Sequence, residues 1–316
     1  MTREKNLARI ASVALFAAAF IWGTSFVIMK DVSDRLPPSL LLAIRFTVAC
    51  LLLGAISWKR FRKMDRSYIM PGLLIGALLF AAYLVQTYGL IGTTPGKNAF
   101  LTASYCVITP FLFRVVSKRK TDPFHLASAV VCLCGILLIS VDFSSENLFS
   151  VALGDVLTLV CGFFYAAHIV AIATTAHDKD PMLITVLQFA VAAVLSWVTY
   201  GVLGAFGLAP LSLEGADIGG LAVQLLYLAC ACTGAALFLQ NFGQKYAHPT
   251  GAAVILTFEA VFGALFSLLM GREEGFGILR ALGFVLVFLA VIISETKLSF
   301  LWKRKNNKNI NKGDLP

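Results

Sequence analysis

The sequence predicts an all-α polytopic membrane protein of ten transmembrane helices in two inverted five-helix repeats. Three observations carry that expectation. Hydrophobic residues make up 59% of the 316 positions against 14% charged, and the mean hydropathy is +0.83, far outside the soluble range. Apolar runs long enough to cross about 30 Å of hydrocarbon as helix, roughly 20 residues each, recur from Leu7 to Ser294. Landmarks of the first half also return in the second at fixed offsets.

The runs fall at 8–29, 36–57, 69–91, 96–116, 123–141, 154–174, 182–204, 217–239, 250–270 and 276–295. Helix is the form each must take, because a strand edge in lipid leaves backbone groups unpaired and the continuous apolarity lacks the alternation of a barrel strand. The first run is too long for a cleavable signal sequence and passes through a short turn into the second. The fourth opens like a helix cap at Thr93-Thr-Pro95, yet keeps Lys97, Asn98, Thr102, Ser104, Tyr105 and Thr109 inside an apolar segment. Asn98, Thr102, Tyr105 and Thr109 are four, three and four apart, which is one helical face. Lipid penalises that face, so it should turn to a wet cavity or a neighbouring helix. Pro110 adds a kink that frees a carbonyl.

A net charge of +9 would also suit a nucleic-acid partner, but the charges sit between the spans. With the N-terminus inside, 18 of the 26 bases fall on the cytoplasmic side, among them Lys59, Arg60, Arg62, Lys63, Arg66 and those of the tail from Lys303 on, and only Lys30, Arg35, Lys97, Arg272 and Arg280 fall opposite. The positive-inside rule then places a multi-pass protein in the bacterial cytoplasmic (inner) membrane with both termini cytoplasmic. The tail 297–316 is too polar for a core and is expected to be a disordered cytoplasmic end suited to anionic lipid. The seven cysteines form no disulfide or zinc pattern, and Cys132 and Cys134 point to different sides of one helix.

Gln86-Thr-Tyr-Gly89, followed by Thr94-Pro95, returns as Gln240-Asn-Phe-Gly243, followed by His248-Pro249, at an offset of 154 that also places Tyr105 on Glu259. Earlier in each half an offset of 143 places Trp22 on Tyr165, Ser25 on His168 and Arg45-Phe46 on Gln188-Phe189. The units are therefore 1–147 and 148–296, with spans over about 8–141 and 154–295. Five spans is an odd number, so the second unit enters the membrane inverted. In secondary transporters that arrangement puts a substrate site near the midplane between the halves and opens it to each side in turn.

Trp22-Gly-Thr-Ser-Phe26, Arg45-Phe46, Thr94-Pro95-Gly-Lys-Asn-Ala-Phe-Leu101, Pro110, Gly154-Asp155 opening the sixth span, Thr257-Phe-Glu-Ala-Val-Phe262 and Gly271-Arg-Glu273 together resemble the drug/metabolite transporter superfamily, specifically its bacterial EamA branch. The likeness covers about residues 8–295. It implies an exporter of amino acids or related small polar metabolites; drug exporters and importers also occur among such proteins, the importer reading here being a vitamin or nucleotide-like solute. Relatives usually have proline after the ninth-span glutamate. Ala260 stands there in this chain, which removes that cause of a kink.

Within the spans, Arg45 sits some nine residues deep, where a charge costs at least ~2.5–3.5 kcal/mol on insertion scales. The resemblance makes it a carboxylate or phosphate contact through its bidentate guanidinium; a structural ion pair or bonds to helix-end carbonyls are the other reading. Its repeat mate Gln188 keeps hydrogen bonding without charge. Glu259 is the acid well inside a span and so the candidate to carry a coupling proton; His168 is a second titratable group. Gln86 and Gln240 are expected as paired cavity amides, and Asn98 and Tyr105 as polar cavity groups. Trp22, with Ser25 one turn on, forms an aromatic wall or simply packs. Lys97 either anchors at the interface or meets substrate, and His125 and His177 near span ends are assigned nothing specific.

An intramembrane enzyme would need a nucleophile with its base or a metal cluster, and no HExxH, GxSxG or His/Asp group appears in a span. A channel would want a pore ring from several subunits. The partners expected are a small-molecule substrate, membrane lipid, a proton as coupling ion and no nucleic acid; no cofactor or metal is expected, and a homodimer is left open.

Overall fold

The computed structural model describes residues 2–93, 95–118, 122–140, 152–209, 211, 217–271 and 277–296; the basic tail and the Arg272-Glu273 motif fall outside them. The described residues form helices and short connections, with no strand among them. By length and composition, eight helical segments can cross a membrane; the fifth and tenth predicted runs appear as shorter apolar stretches, Pro123–Leu138 and Ala281–Ser294.

The helices are α1 (Thr2–Ser33), α2 (Pro38–Ser57), α3 (Ile69–Ile91), α4 (Pro95–Thr102), α5 (Tyr105–Ser117), α6 (Pro123–Ser140), α7 (Leu153–Thr175), α8 (Pro181–Ala205), α9 (Ile218–Tyr227), α10 (Ala236–Tyr246), α11 (Pro249–Leu256), α12 (Phe258–Leu269) and α13 (Ile278–Thr296), with a π-helical segment, Leu228–Ala235, joining α9 to α10. Local chemistry sets many of their ends. Proline opens α2, α4, α6, α8 and α11, where its missing N–H costs nothing and its φ is already helical. Side chains just ahead satisfy free amides: Asp122 accepts from Phe124 N (3.0 Å), Asp180 from Met182 N (2.9 Å) and His248 Nδ1 from Thr250 N (3.3 Å).

Three runs that read as single helices are interrupted. The fourth breaks at Ala103-Ser104, where Ser104, Cys106 and Val107 N–H groups bond three residues back, a 3₁₀ tightening. Pro110 lies downstream; its ring, without an N–H, disfavours an ordinary turn against Cys106 O. The ninth breaks at Thr257, whose hydroxyl bonds back to Val254 O at 2.6 Å and meets Cys132 Sγ at 2.9 Å. A threonine thus makes the discontinuity that the absent proline at 260 would have made. The eighth run changes hydrogen-bond period through its π segment, where Thr233 Oγ1 donates to Leu228 O, five residues back, at 2.8 Å.

In the packing, α1 lies against α10 and α12, α3 against α7 and α8, α2 against α8 and the π segment, α5 and α4 against α7, and α6 against α13. Glycines allow the closest approaches. A Cβ on Gly154 would fall 2.6 Å from Gly89 O, so α3 and α7 meet backbone to backbone at one end. At the opposite end of the fold a Cβ on Gly243 would meet Leu15 Cγ at 2.5 Å, where α10 crosses α1.

Candidate functional site

At mid-depth α1, α2, α3, α5, α7, α10, α11 and α12 surround a cavity of about 30 Å³, room for about two water molecules. Arg45 enters from α2, 1% exposed. Its Nε donates to Thr233 Oγ1 (3.1 Å), Nη1 lies 3.0 Å from Met29 Sδ, and its Cζ stands 5.3 Å from the Tyr83 ring centre. Among the described residues no carboxylate comes within ion-pairing distance of it. Both Thr233 and Cys232, whose O accepts from Trp22 Nε1 at 2.7 Å, belong to the π segment.

Glu259 lines the same cavity from the first turn of α12 and accepts from Tyr105 OH at 3.2 Å. Tyr105 stands just past the break in the fourth run as Glu259 does past the break in the ninth, so each interruption delivers one of these two side chains. Between Arg45 and Tyr105 the wall is a ladder of rings: Tyr83 to Tyr165 at 5.7 Å and Tyr165 to Tyr105 at 6.2 Å. Gln86 accepts from Tyr165 OH (2.7 Å) and donates to Thr102 Oγ1 (3.1 Å). Gln240 also borders the cavity, with no hydrogen bond to another described residue. Ser25 bonds back to Trp22 O at 2.7 Å.

Of the residues singled out in the sequence, Trp22, Ser25, Arg45, Gln86, Tyr105, Gln240 and Glu259 line this cavity. Asn98, His168 and Gln188 do not. Asn98 bonds Thr158 Oγ1 (2.8 Å) and Gln86 O (3.3 Å), tying α4 to α7 and α3. His168 Nε2 and Gln188 Oε1 meet at 3.0 Å between α7 and α8. The break at Ala103-Ser104 is the reason the polar face of the fourth run divides: Asn98 and Thr102 face neighbouring helices and Tyr105 the cavity. Lys97 pairs with Asp155 at 2.6 Å, with Thr93 Oγ1 on the same carboxylate at 2.7 Å, fastening α4 to α7 beside the Gly89 and Gly154 contact. His125 stacks on His248 at 4.8 Å.

Tyr83, Tyr165, Met29 and Thr233 were missed. Tyr165 was legible as the counterpart of Trp22, and Tyr83 as the residue one turn before Gln86; Thr233 acts only because of the π segment, which leaves no mark in the sequence. Among the described residues no group of three or more His, Cys, Asp or Glu could hold a metal, and the seven cysteines are free.

Comparison with known proteins gives a consistent picture. The profile of the EamA-like transporter family matches residues 9–141 and again 152–296. An uncharacterized transporter of Archaeoglobus fulgidus is 30% identical over 289 residues, 91% of this chain and 86% of that protein. A second from the same organism is 25% identical over 285 residues, 88% and 94% of the two chains. The uncharacterized transporter YetK of Bacillus subtilis is 24% identical over 185 residues, 52% and 54%. A solved crystal structure, described only as that of a protein, superposes with a TM-score of 0.73 at 17% identity over 92% of this chain and 98% of the other, a likeness of fold.

Proposed function

Because the chain belongs to the EamA-like transporter family, we propose that this multi-pass membrane transporter exports amino acids or related small polar metabolites across the cytoplasmic membrane by alternating access. The observation that carries the proposal is the pairing, in one small cavity, of an arginine that has no acidic partner among the described residues and a carboxyl that accepts a tyrosine hydroxyl. A zwitterion supplies what each lacks: its carboxylate takes the guanidinium of Arg45 and its ammonium takes Glu259, with the tyrosine ladder and Trp22 against the rest of the molecule.

Alternation in this reading rests on ten spans in two inverted units, 1–147 and 148–296. Its support is that the contacts exchange when the first five spans are swapped for the second five. The pairing of α1 with α10 becomes that of α7 with α3, and the pairings of α2 with α8 and α6 with α13 map on themselves. The breaks at Ala103 and Thr257 are 154 residues apart, the repeat offset, and the Tyr105 to Glu259 contact joins equivalent positions. A cavity of about 30 Å³ is smaller than an amino acid, so loading requires the helix ends at one side to part. Glu259 would exchange its proton for the solute's ammonium, coupling export to proton entry; the termini lie in the cytoplasm by the distribution of bases.

The aromatic wall favours a second reading, export of lipophilic cations, in which Glu259 is the anchor and Arg45 opposes binding. Proteoliposomes loaded with a panel of unlabelled amino acids, amines and carboxylic acids, tested in parallel for counterflow of a labelled zwitterion and of a labelled lipophilic amine, separate the two. Saturable exchange with zwitterions supports the proposal. Exchange confined to cations supports the second reading, and no exchange with any amino acid overturns the first.

A further inference from the structure

Between α2 and α3 the chain makes two 3₁₀ turns, Trp58–Lys63 and Arg66–Tyr68. Three residues per turn eclipse positions i and i+3, so Trp58 and Phe61 share one edge, Lys59 and Arg62 a second, Arg60 and Lys63 a third. Phe61 packs against the core, and the other five are exposed, Trp58 to 59%. Arg60 is taken by Asp180 at 2.8 Å, and Lys59 Nζ stands 5.6 Å over the Trp58 ring. Arg62, Lys63 and Arg66 are exposed and join none of the ion pairs among the described residues.

The loop after α7 closes over the same corner. Lys179 Nζ donates to Ser67 Oγ (2.7 Å) and Asp178 (2.9 Å) and lies 5.2 Å from the Tyr68 ring. Asp65 already accepts from the Ser67 hydroxyl and amide, which hold its carboxyl below the usual carboxylate range. Six bases, Lys59, Arg60, Arg62, Lys63, Arg66 and Lys179, thus face three acids, Asp65, Asp178 and Asp180, each of which already has a partner. The surplus is positive and open.

One turn deeper in α3 begins a groove of about 550 Å³ lined by Met70, Pro71, Leu73 and Leu74 with Thr175 of α7. Met70 is 74% exposed. It lies four positions after Arg66, so the apolar groove starts directly below the basic patch. The positive-inside rule accounts for bases at this end of the span, but neither it nor a solvated charge run gives a reason for a concave apolar surface directly beneath them. One amphipathic ligand explains both.

We propose that this corner of α3 and α7 binds one anionic glycerophospholipid, its phosphate held by Arg62, Lys63 and Arg66 and an acyl chain laid along Met70, Leu73, Leu74 and Thr175. Guanidinium groups grip phosphate bidentately, and Trp58 stands where an indole sits at headgroup level. The site does not touch the cavity, so it stands whatever solute is carried.

Native mass spectrometry of the detergent-purified full chain, titrated with phosphatidylglycerol or phosphatidylcholine, tests this. Phosphatidylglycerol should bind as one tight copy at least tenfold more strongly than phosphatidylcholine. Each base replaced among Arg62→Gln, Lys63→Gln and Arg66→Gln should weaken it about fivefold, and 0.5 M salt should weaken it in the wild type. Leu74→Trp, which fills the groove, should also lower affinity, and millimolar glycerol phosphate or inorganic phosphate should not displace the lipid. Equal affinity for the two lipids, an unaffected triple variant or displacement by phosphate alone would overturn the site. Should the triple variant not fold, the salt dependence and the Leu74→Trp variant decide on their own.

Discussion

Replacing Arg45 with methionine separates a charge kept for transport from one kept for structure. In the fold the guanidinium gains about 1.5–3 kcal/mol from its hydrogen bond to Thr233 and about 1–2 kcal/mol from the Tyr83 ring. Against that stands an insertion cost of ~2.5–3.5 kcal/mol for arginine at mid-helix. The two sides nearly cancel, because no carboxylate among the described residues pairs with the charge. Arg45→Met, unbranched and of similar reach, should therefore change stability by less than about 2 kcal/mol, a shift of a few degrees in melting temperature. Binding of a carboxylate-bearing solute should lose about 2–5 kcal/mol, at least a thirtyfold rise in KM. The assay is counterflow in proteoliposomes beside thermal unfolding of the same preparation. An unchanged KM, or a variant too unstable to purify although the methionine fits, would show that the charge serves the bundle and not the cargo.

Three further outcomes follow from the same geometry. Thr233→Val removes the acceptor that orients Arg45 and should raise KM about five- to tenfold with kcat unchanged, while Thr233→Ser restores it; equal loss in both variants would refute the positioning role. Glu259→Gln should still exchange solute down its gradient, with a raised KM for the lost ammonium contact, but no longer accumulate it under an imposed proton gradient, read as labelled uptake at clamped internal pH; retained accumulation would exclude Glu259 from coupling. Lys97→Met leaves the Asp155 carboxylate, 5% exposed, without its cation and should destabilise the closed contact of α4 with α7 by about 1–3 kcal/mol. Faster hydrogen exchange of the α4 amides reports that change, and an unaltered rate would count against a latch at Lys97.

Hydropathy alone was enough to locate the helices, since bilayer thickness leaves a run such as 69–91 no other form. The sequence also suggested a repeat, through pairs such as Gln86 and Gln240, and the family profile matches twice, over 9–141 and 152–296. The interruptions were not legible. The break at Thr257 comes from a hydroxyl bonding its own helix, and threonine does that in many helices without breaking them. The π segment arises where the Thr233 hydroxyl reaches back five residues, and Ala-Cys-Ala-Cys-Thr around it reads as ordinary apolar helix. For the site the same gap decided the outcome. Arg45 and Glu259 stood out because charge in lipid always needs an explanation, whereas Asn98 and His168 were also singled out and are bonded between helices. Polarity in a span marks an inward face but does not say whether a cavity or a neighbouring helix waits there.

The central claim is that the two halves open the cavity to one side only at a time. Spin labels in a cysteine-free background at Ile91 and Leu153, on facing ends of α3 and α7, and at Tyr246 and Ile10, on facing ends of α10 and α1, measure both mouths in one reconstituted sample by pulsed dipolar spectroscopy. All four positions are exposed. Adding the transported solute, then a proton gradient, should lengthen one distance while the other shortens or holds, and reversing the gradient should exchange them. Both distances widening together, or neither moving while transport proceeds, would contradict it.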